Sequence, residues 1–515
     1  MKQISIFNHV IGPVMRGPSS SHTAGAFHIG TMARSLLGGK PSKAVFSFDP
    51  DGSYGKVYHE QGADLAFAAG LMGWNITDER FGEALEAATR ADLRIDFTVQ
   101  RLREAEHPNA VDIRLSSVEG RQLEARANSI GGGAVEFTRI GTWPVNLTGR
   151  AYEVAVEVET ETEAQALEAL TQDAALIDEP TRQEREGLSF LCVRRKSPLP
   201  PQAQRKLQAL PGLREMWTAE PVFLIQHAEP IFSSASEMVS LAGQRNFSLG
   251  QLALEYESTL LGLAESEVMD EMLRRFDVMR EAVDRGLKMT PPRMQLLSPS
   301  AGNIYNAEAE GRVAIGGLHT RAAARAMAVM HVNGGMGVVC AAPTGGAAGT
   351  LPGVIVTLVE EQGLSRQGAA LALLAAGAVG VVVASRATFA AEVAGCQVEI
   401  GAAGAMAAAA VVDAAGGGAQ QATDAAAIAF QNTMGSVCDL VQGIVEIPCH
   451  TRNAAAASNA FLCADLILGG YVNPIDLDET IDAVYAVGKM LPRELRCTAL
   501  GGLAVTPSAL AMKRL

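Results

Sequence analysis

One long uncharged run of the chain is GAALALLAAGAVGVVVA, residues Gly368–Ala384. It is built of Ala, Gly and Val rather than Leu and Phe, and it falls a little short of the length that spans a bilayer. A helix that is apolar on all sides is usually buried in a protein core. The run therefore predicts a buried helix, and it favours an all-α fold for the C-terminal part of the chain.

The segments around this run have a similar composition. From Leu318 to the end, Ala-rich and Gly-rich apolar segments dominate, and such small side chains allow helices to pack closely. The stretch Ile231–Leu287 shows amphipathic periodicity with many charges, which is typical of surface helices. The low-complexity stretch AAGGGAQQATDAAA, Ala414–Ala427, is predicted as a connection between helices. Residues 222–515 are thus predicted to form one helical domain.

The chain before residue 222 alternates strand and helix patterns. Residues 1–150 combine β-type runs, such as Ala44–Asp49 and Leu93–Val99, with helical patterns, which predicts an α+β domain. Residues 151–221 have the order strand, helix, strand, strand, helix, strand, with Ala174–Pro180 as the second strand. This order predicts a small βαββαβ unit of ferredoxin-like type. The predicted fold class is multidomain: α+β, then βαββαβ, then all-α.

Composition and charge limit the function classes. The chain has 515 residues, of which 48% are hydrophobic and 19% charged, values typical of a soluble globular protein. A net charge of −14 argues against a nucleic-acid partner, which usually meets a basic surface. The N-terminus MKQISIFNHVIG lacks a basic segment followed by an apolar one, so we expect no secretory signal and no membrane association. The expected location is the cytoplasm.

Six of the seven cysteines lie after residue 339. An odd number in a cytoplasmic chain is poor evidence for disulfides. Cys396, Cys438 and Cys449 each stand beside Gly, Pro or a change of pattern, with 41 and 10 residues between them, unlike the paired spacing of a structural zinc site. Three thiolates can hold a cubane iron-sulfur cluster and leave one iron open. From the residues alone, three small buried side chains are the alternative.

A polar stretch near the start of the chain is RGPSSSHTAGAF, Arg16–Phe27. A loop that opens a helix presents backbone N–H groups, so Ser19, Ser20, Ser21 and Thr23 can bind a carboxylate or phosphate there. An ordinary helix cap, with His22 as a surface residue, is the alternative.

Two further stretches offer donors for a small anion. The Gly-rich turn CAAPTGGAAGTLPG, Cys340–Gly353, contains Thr344 and lacks the Gly-Lys-Ser/Thr ending of a phosphate-binding loop. Its glycines serve either a carboxylate site or close helix packing. In His450–Ala460, Arg452 can pair with a carboxylate and Asn453 can donate to one, whereas an Arg at a helix start is ordinarily a solvated charge.

Taken together, seven ordered motifs resemble those of the iron-sulfur-dependent L-serine dehydratases over nearly the whole chain. They are GPSSSHTAGA, HPNA, SIGGGAVEFT, APTGGAAGTLPG, GCQVEIGAAGAMAAAA, CDLVQGIVEIPCHTRNA and LRCTALGGLAVTP. The resemblance implies a β-type domain over residues 1–150, an ACT-like domain over 151–221 and a helical α-type catalytic domain over 222–515. Many relatives carry the β and α parts as separate subunits, so this chain resembles a fusion.

The resemblance also implies a chemistry. Cys396, Cys438 and Cys449 match the ligands of a [4Fe-4S] cluster whose fourth iron acts as a Lewis acid on the substrate hydroxyl, and no pyridoxal phosphate is required. The implied reaction converts L-serine to pyruvate and ammonia, a step of amino-acid degradation that feeds gluconeogenesis. His22 matches the general base, because an imidazole titrates near neutral pH. The implied substrate-binding residues are Ser19, Ser20, Ser21, Thr23, Thr344, Arg452 and Asn453. Because the loop and the cysteines are over 370 positions apart, the active site is expected between the first and last domains.

Three departures from the family pattern leave the substrate open, one of which is SPSAGNIYNAEAEG, Ser298–Gly311, in place of the family's usual glycine-rich entry to the helical domain. Arg386–Ala391, RATFAA, stands where relatives have Asn-Ala-Ser-Ile-Ser-Gly, and Cys497 replaces an expected acidic residue. The chain ends AMKRL without the terminal cysteine of some relatives, so either the fourth iron is open to water or Cys497 approaches it. L-threonine, L-cysteine with release of sulfide, and a non-catalytic amino-acid sensor are the alternatives. The ACT-like segment lacks a clear Gly-rich loop, which favours packing or dimerisation, and we expect a homodimer.

Overall fold

The computed structural model describes residues 2–288 and 294–515. The chain forms two compact units. Residues 24–227 make up the first, which we call the sheet unit. Residues 1–23 together with 228–515 make up the second, the helical unit. The first twenty-three residues, including the polar loop, thus belong to the same unit as the three predicted cluster cysteines.

The described strands are mostly short. In chain order they are β1 (Val14–Arg16), β2 (Pro41–Phe48), β3 (Arg94–Val99), β4 (Ala110–Ser117), β5 (Gln122–Gly131), β6 (Ala134–Ile140), β7 (Trp143–Leu147), β8 (Tyr152–Glu159), β9 (Thr181–Arg185), β10 (Leu188–Arg195), β11 (Leu213–Ala219) and β12 (Val338–Cys340).

The described α-helices are concentrated after residue 234. They are α1 (Gly25–Leu37), α2 (Ser53–Val57), α3 (Ala63–Met72), α4 (Ala84–Arg90), α5 (Glu163–Thr171), α6 (Pro201–Gln208), α7 (Ala235–Arg245), α8 (Leu249–Leu261), α9 (Glu265–Leu287), α10 (Ala301–Ala309), α11 (Leu318–Gly334), α12 (Thr350–Gln362), α13 (Arg366–Arg386), α14 (Ala391–Ala394), α15 (Ile400–Ala414), α16 (Ala419–Thr433), α17 (Cys449–Leu468), α18 (Leu477–Met490) and α19 (Pro507–Ala511).

Two sheets define the sheet unit. The larger has the order β3-β2-β4-β5-β6-β7, antiparallel except for the parallel pair β2 and β3. The smaller has the order β11-β8-β10-β9 and is antiparallel throughout. With α5 and α6 it forms a βαββαβ unit, whose core includes Val156, Leu170 and Leu191. The mixed α/β character of the chain and its helical C-terminal region are therefore confirmed, whereas the ACT-like assignment stays a prediction.

The second strand of the small sheet lies later than predicted. Within Ala174–Pro180 a single bridge joins Leu176 to Arg195, and β9 begins only at Thr181. Proline has no N–H to donate to a neighbouring strand, so Pro180 marks the boundary before β9.

The helical unit is built around α13, as its sequence predicts. Most of its central residues are fully buried, and two glycines on it leave room for the N-terminal segment Ile6–Val10. A Cβ at Gly380 would lie 2.1 Å from Val10 Cγ1, and one at Gly377 would lie 2.6 Å from Ile6 Cγ2. The small residues therefore serve close packing.

Two segments of this unit are long and apolar enough to cross a membrane, Arg366–Arg386 and Cys396–Ala414. Of their most apolar windows, 78% and 89% respectively are buried inside the structure. Burial of this extent is typical of core helices.

The low-complexity stretch Ala414–Ala427 is mostly helix rather than connection. Only Ala415–Gly418 link the two helices, and α16 begins at Ala419. The Gly418 N–H donates to the Gln421 side chain at 3.0 Å, which helps to satisfy the start of α16. The prediction was wrong because Ala and Gln are good helix formers, and the three glycines alone interrupt the helix.

The N-terminal segment is fixed to the helical unit by buried polar contacts. The Glu257 carboxylate accepts the backbone N–H groups of Ile6 and Phe7 at 2.8 and 3.0 Å. Arg275 donates to the Ile11 carbonyl at 2.6 Å. Strand β1 then pairs antiparallel with β12. These contacts position the loop that follows β1.

Candidate active site

The three predicted cluster cysteines come together. Cys396 opens a short turn before α15, Cys438 lies in the segment after α16, and Cys449 is the first residue of α17; all three are buried. The thiols of Cys396 and Cys438 are hydrogen-bonded, and Cys449 lies close enough to Cys396 to interact with its charge. Cysteines with 41 and 10 residues between them in the sequence thus form one group.

Backbone contacts around Cys396 hold the group in place. The Gln397 side chain is buried; its oxygen accepts the Gly435 N–H at 2.9 Å and its amide donates to the Ala394 carbonyl at 2.9 Å. At Gly395, where φ is +79°, a Cβ would lie 2.7 Å from the Ser436 carbonyl oxygen. Glycine and glutamine here bring the segment before Cys438 against Cys396.

Arg452 lies among the neighbours of the cysteines. Its guanidinium donates to the Val437 carbonyl at 2.7 Å, approaches the Cys396 sulfur at 3.7 Å and forms an ion pair with Asp439 at 3.0 Å. The Asp439 carboxylate also accepts the Leu503 N–H at 2.9 Å. Arg452 is therefore not the solvated charge of the alternative interpretation, and its substrate role stays a prediction.

The donor chemistry fits a cationic cluster. A hydrogen bond from the Cys438 thiol, more than the charge of Arg452, lowers the pKa of Cys396. Hydrogen bonding to Cys396 and Cys497 raises the pKa of Cys438 well above its usual range, and burial does the same for Cys449. Three buried thiols ionise together only when a cation replaces their protons. Iron-sulfur clusters supply such a cation to cysteine thiolates.

A fourth thiol approaches the group. The Cys497 thiol is hydrogen-bonded to that of Cys438, although the residue as a whole is exposed. The backbone pairs at the same place: Cys438 N–H donates to the Leu495 carbonyl and Cys497 N–H to the Cys438 carbonyl, both at 2.9 Å. Of the two arrangements that the sequence left open, the structure has Cys497 near the cysteine group.

The polar loop forms a small network around His22. The Ser21 hydroxyl lies 3.0 Å and the Ser19 hydroxyl 3.4 Å from His22 Nδ1, and these two hydroxyls are 3.2 Å apart. The Ser19 hydroxyl also accepts the His22 N–H, and its carbonyl accepts the Thr23 N–H. His22 is 6% exposed, and burial lowers its pKa to about 4. It is a buried, neutral imidazole rather than a surface residue.

The turn after β12, at Gly345 and Gly346, contacts the polar loop and also Glu399, which lies beside the cysteines. A Cβ at Gly345 would lie 3.0 Å from the Ser20 amide nitrogen, and one at Gly346 would lie 3.6 Å from a Glu399 carboxyl oxygen. One oxygen of that carboxyl is within 4.8 Å of the sulfurs of Cys396 and Cys438. The loop and the cysteines are thus neighbours of two consecutive glycines.

Thr344 and Asn453 also meet at this turn. Thr344 is buried just before the two glycines. The Asn453 amide donates to the Gly346 carbonyl at 2.8 Å, and its oxygen accepts the backbone N–H groups of Gly349 and Thr350 at 3.2 and 3.1 Å. These contacts make Asn453 a support of the turn, and its predicted contact with substrate stays untested.

Three residues of this site were not predicted: Glu399, Gln397 and Asp439. Glu399 follows Cys396 by three positions, a separation that places two side chains on one face of a helical turn. That spacing was a signal in the sequence. Gln397 and Asp439 act through contacts with distant segments, for which spacing gives no signal.

Comparison with protein families gives a match to the family described as Serine dehydratase alpha chain, over residues 157–504. Two alpha-chain relatives illustrate it. The probable L-serine dehydratase alpha chain of Bacillus subtilis is 36% identical over 284 residues, covering 55% of this chain and 95% of the relative. The L-serine dehydratase alpha chain of Peptoniphilus asaccharolyticus is 33% identical over 285 residues, covering 55% and 98%.

A beta-chain relative matches the same polypeptide. The probable L-serine dehydratase beta chain of Bacillus subtilis is 42% identical over 149 residues, covering 29% of this chain and 66% of the relative. Sequences that form two chains in that organism thus have counterparts in one chain here.

Proposed function

The chain belongs to the serine dehydratase alpha chain family, with alpha-type and beta-type parts in one polypeptide, and from this we propose that it is a [4Fe-4S]-dependent lyase that converts L-serine to pyruvate and ammonia. One observation carries the proposal: the buried thiols form one group beside the Glu399 carboxyl, which borders Gly346, while the adjacent Gly345 borders Ser20 of the Ser/His loop. Such a site combines thiols that can hold a cluster with a loop that carries an imidazole, His22.

In this proposal Cys396, Cys438 and Cys449 hold the cluster. When bound, the cluster supplies a Lewis acid that makes the serine hydroxyl a better leaving group. Arg452 faces the Cys396 sulfur and offsets the negative charge of the thiolates.

His22 is the proposed proton acceptor. Because burial lowers its pKa to about 4, the imidazole is neutral at physiological pH and can accept the Cα proton, as a weaker base than an exposed imidazole. Its Nδ1 lies against the hydroxyls of Ser19 and Ser21, which orients the ring. Loss of the Cα proton and of the hydroxyl group gives aminoacrylate, which tautomerises to an imine and hydrolyses.

The loop hydroxyls are the proposed carboxylate donors. Ser19 and Ser21 hydrogen-bond to each other and to His22 in the substrate-free protein, so they can turn toward a carboxylate without first leaving water. Ser20 and Thr23 extend this set, and the Thr344 hydroxyl lies beside Gly346 of the neighbouring turn.

Reconstitution under anaerobic conditions tests the proposal. Purified chain is loaded with iron and sulfide, and pyruvate or 2-oxobutyrate, ammonia and sulfide are measured with L-serine, L-threonine and L-cysteine. We expect L-serine to give equal amounts of pyruvate and ammonia. If 2-oxobutyrate release from L-threonine or sulfide release from L-cysteine were faster, that amino acid would be the substrate in place of L-serine. Amino-acid binding without turnover would indicate a sensor, and failure to retain four irons per chain would contradict the cofactor.

A further inference from the structure

A carboxyl group that the proposed mechanism does not use lies beside the cysteines. Glu399 places an oxygen within 4.8 Å of the sulfurs of Cys396 and Cys438. A Cβ at Gly346 would lie 3.6 and 3.8 Å from the two Glu399 carboxyl oxygens and 3.8 Å from the Thr344 hydroxyl oxygen. The missing side chain of Gly346 thus leaves a space bordered by a carboxyl and a hydroxyl.

One polar group beside this space is buried. Thr344 is 2% exposed, and its hydroxyl has no hydrogen-bond partner among the residues that the structure describes. This hydroxyl and the Glu399 carboxyl oxygens all lie within 3.8 Å of the position that a Gly346 Cβ would take. A buried hydroxyl without a partner is costly, so the arrangement suits a ligand that supplies the missing contacts.

Other buried carboxyls of the region are already engaged. Asp439 pairs with Arg452 and accepts the Leu503 N–H. Glu446 accepts three backbone N–H groups, those of Gln295, Leu296 and Leu297. Within residues 2–288 and 294–515, no comparable cation or N–H donor lies at hydrogen-bond distance from the Glu399 carboxyl. This carboxyl is therefore available to a cationic group of a ligand.

We propose that Glu399 receives the α-ammonium group of the amino-acid substrate, with the Thr344 hydroxyl as a second polar contact beside it. This rests on the proposed function, which supplies an amino acid as the ligand. The substrate carries one fixed cation and one fixed anion, and the loop hydroxyls and Arg452 suit the anion.

Glu399→Gln, which keeps the shape and removes the charge, tests the proposal. The cluster-loaded full chain is titrated with L-serine and with 3-hydroxypropionate, which is serine without its amino group, and binding is followed by calorimetry. We expect the wild type to prefer L-serine, and Glu399→Gln to weaken L-serine binding by about 10- to 100-fold while changing 3-hydroxypropionate binding less than threefold. Iron content should stay unchanged.

Two further variants complete the design. Glu392→Gln makes the same change at a neighbouring carboxyl outside the group formed with the two thiols, and L-serine binding should be retained. Glu399→Asp keeps the negative charge and should retain most of the preference for L-serine over 3-hydroxypropionate. If Glu399→Gln does not fold, Glu399→Asp becomes the test, and it must then still prefer L-serine.

Several results would overturn the proposal. Equal weakening of both ligands in Glu399→Gln, or unchanged L-serine binding, would show that the carboxyl does not recognise the ammonium. Loss of iron would show that Glu399 is instead a cluster ligand. If the wild type binds L-serine but does not turn it over, the proposed function fails, and the comparison of the two ligands still decides the role of Glu399. A wild type that binds L-serine no better than 3-hydroxypropionate contradicts the ammonium site itself.

Discussion

The two halves of the candidate site are built in different ways. The cysteine half is fixed by contacts from side chains to the backbone: Gln397 joins Gly435 to the turn of Cys396, and Arg452 joins Val437 and Asp439 to α17. The loop half, Ser19–Thr23, is held at its base, and the Ser19 hydroxyl, the Ser21 hydroxyl and the His22 imidazole hydrogen-bond to one another.

This difference indicates what each half does on binding. A group that must hold several thiolates needs fixed geometry, because misplaced charges in a buried site are costly. Hydroxyls that satisfy one another can exchange partners when a carboxylate arrives, at a small net cost. Substitutions in the cysteine half should therefore abolish cofactor binding. Substitutions in the loop half should lower the reaction rate while the cofactor stays bound.

Removal of one cluster cysteine should have the largest effect. In Cys449→Ser, a buried thiolate donor at the start of α17 is replaced by a poor iron ligand, so we expect loss of the cluster and of all turnover. Iron and sulfide per chain, measured with visible absorption after anaerobic reconstitution, check this.

Cys463→Ser is the matched control. Cys463 is also buried on α17, but its sulfur faces the Asn432 amide rather than the other thiols. It should keep the cluster. If Cys463→Ser lost the cluster and Cys449→Ser kept it, the ligand assignment would be wrong.

Much of the fold follows from residue patterns. The uncharged run within α13 predicts a buried helix because its residues are small and apolar on every side, and the apolar strand-type residues of β8 and β10 predict strands. The stretch Ala414–Ala427 misled because three glycines gave it the appearance of a long connection. Local composition therefore predicts the type of an element better than its boundaries.

The contacts within the candidate site could be predicted from the sequence only in part. The resemblance to the family motifs suggested both the three cysteines and His22, but no local pattern shows that Gly345 and Gly346 contact Ser20 and Glu399 respectively. Such contacts depend on the absence of side chains where distant segments meet. The position of Cys497 beside Cys438 likewise depends on pairing between segments about sixty residues apart.

Removal of the imidazole should have an intermediate effect. A positioned general base contributes on the order of 10²- to 10⁴-fold in rate, so we expect His22→Ala to lower kcat by about that factor with iron content unchanged. His319→Ala, at an exposed histidine of α11, should keep wild-type activity. Full activity in His22→Ala would remove His22 from the mechanism.

The pH dependence of kcat/KM provides a second test of the role of His22. Burial lowers the pKa of His22 to about 4, so its neutral form persists well below the ordinary histidine value of 6.5. In the wild type, the contribution of this group to kcat/KM should stay constant from pH 8 to about 6 and decline only as the pH approaches 4. A loss centred near pH 6.5 would indicate an exposed imidazole instead.

Displacement of the loop should have the smallest effect of the three. A Cβ at Gly17 would lie 2.0 Å from the Asn333 carbonyl oxygen, and Asn333 donates to the Pro18 carbonyl at 3.0 Å, so Gly17→Ala must push the base of the loop away from α11. Misplacement of a catalytic group by about 1 Å can cost up to about a hundredfold in rate, so we expect kcat/KM to fall about ten- to a hundredfold with full cluster content. Gly243→Ala, in α7 with nothing within 4 Å of the added Cβ, should leave activity unchanged and raise the free energy of unfolding by about 0.5–1 kcal/mol. If Gly17→Ala instead lost the cluster, the two halves would be one cooperative structure, and the distinction between a fixed cysteine half and an adjustable loop would not hold.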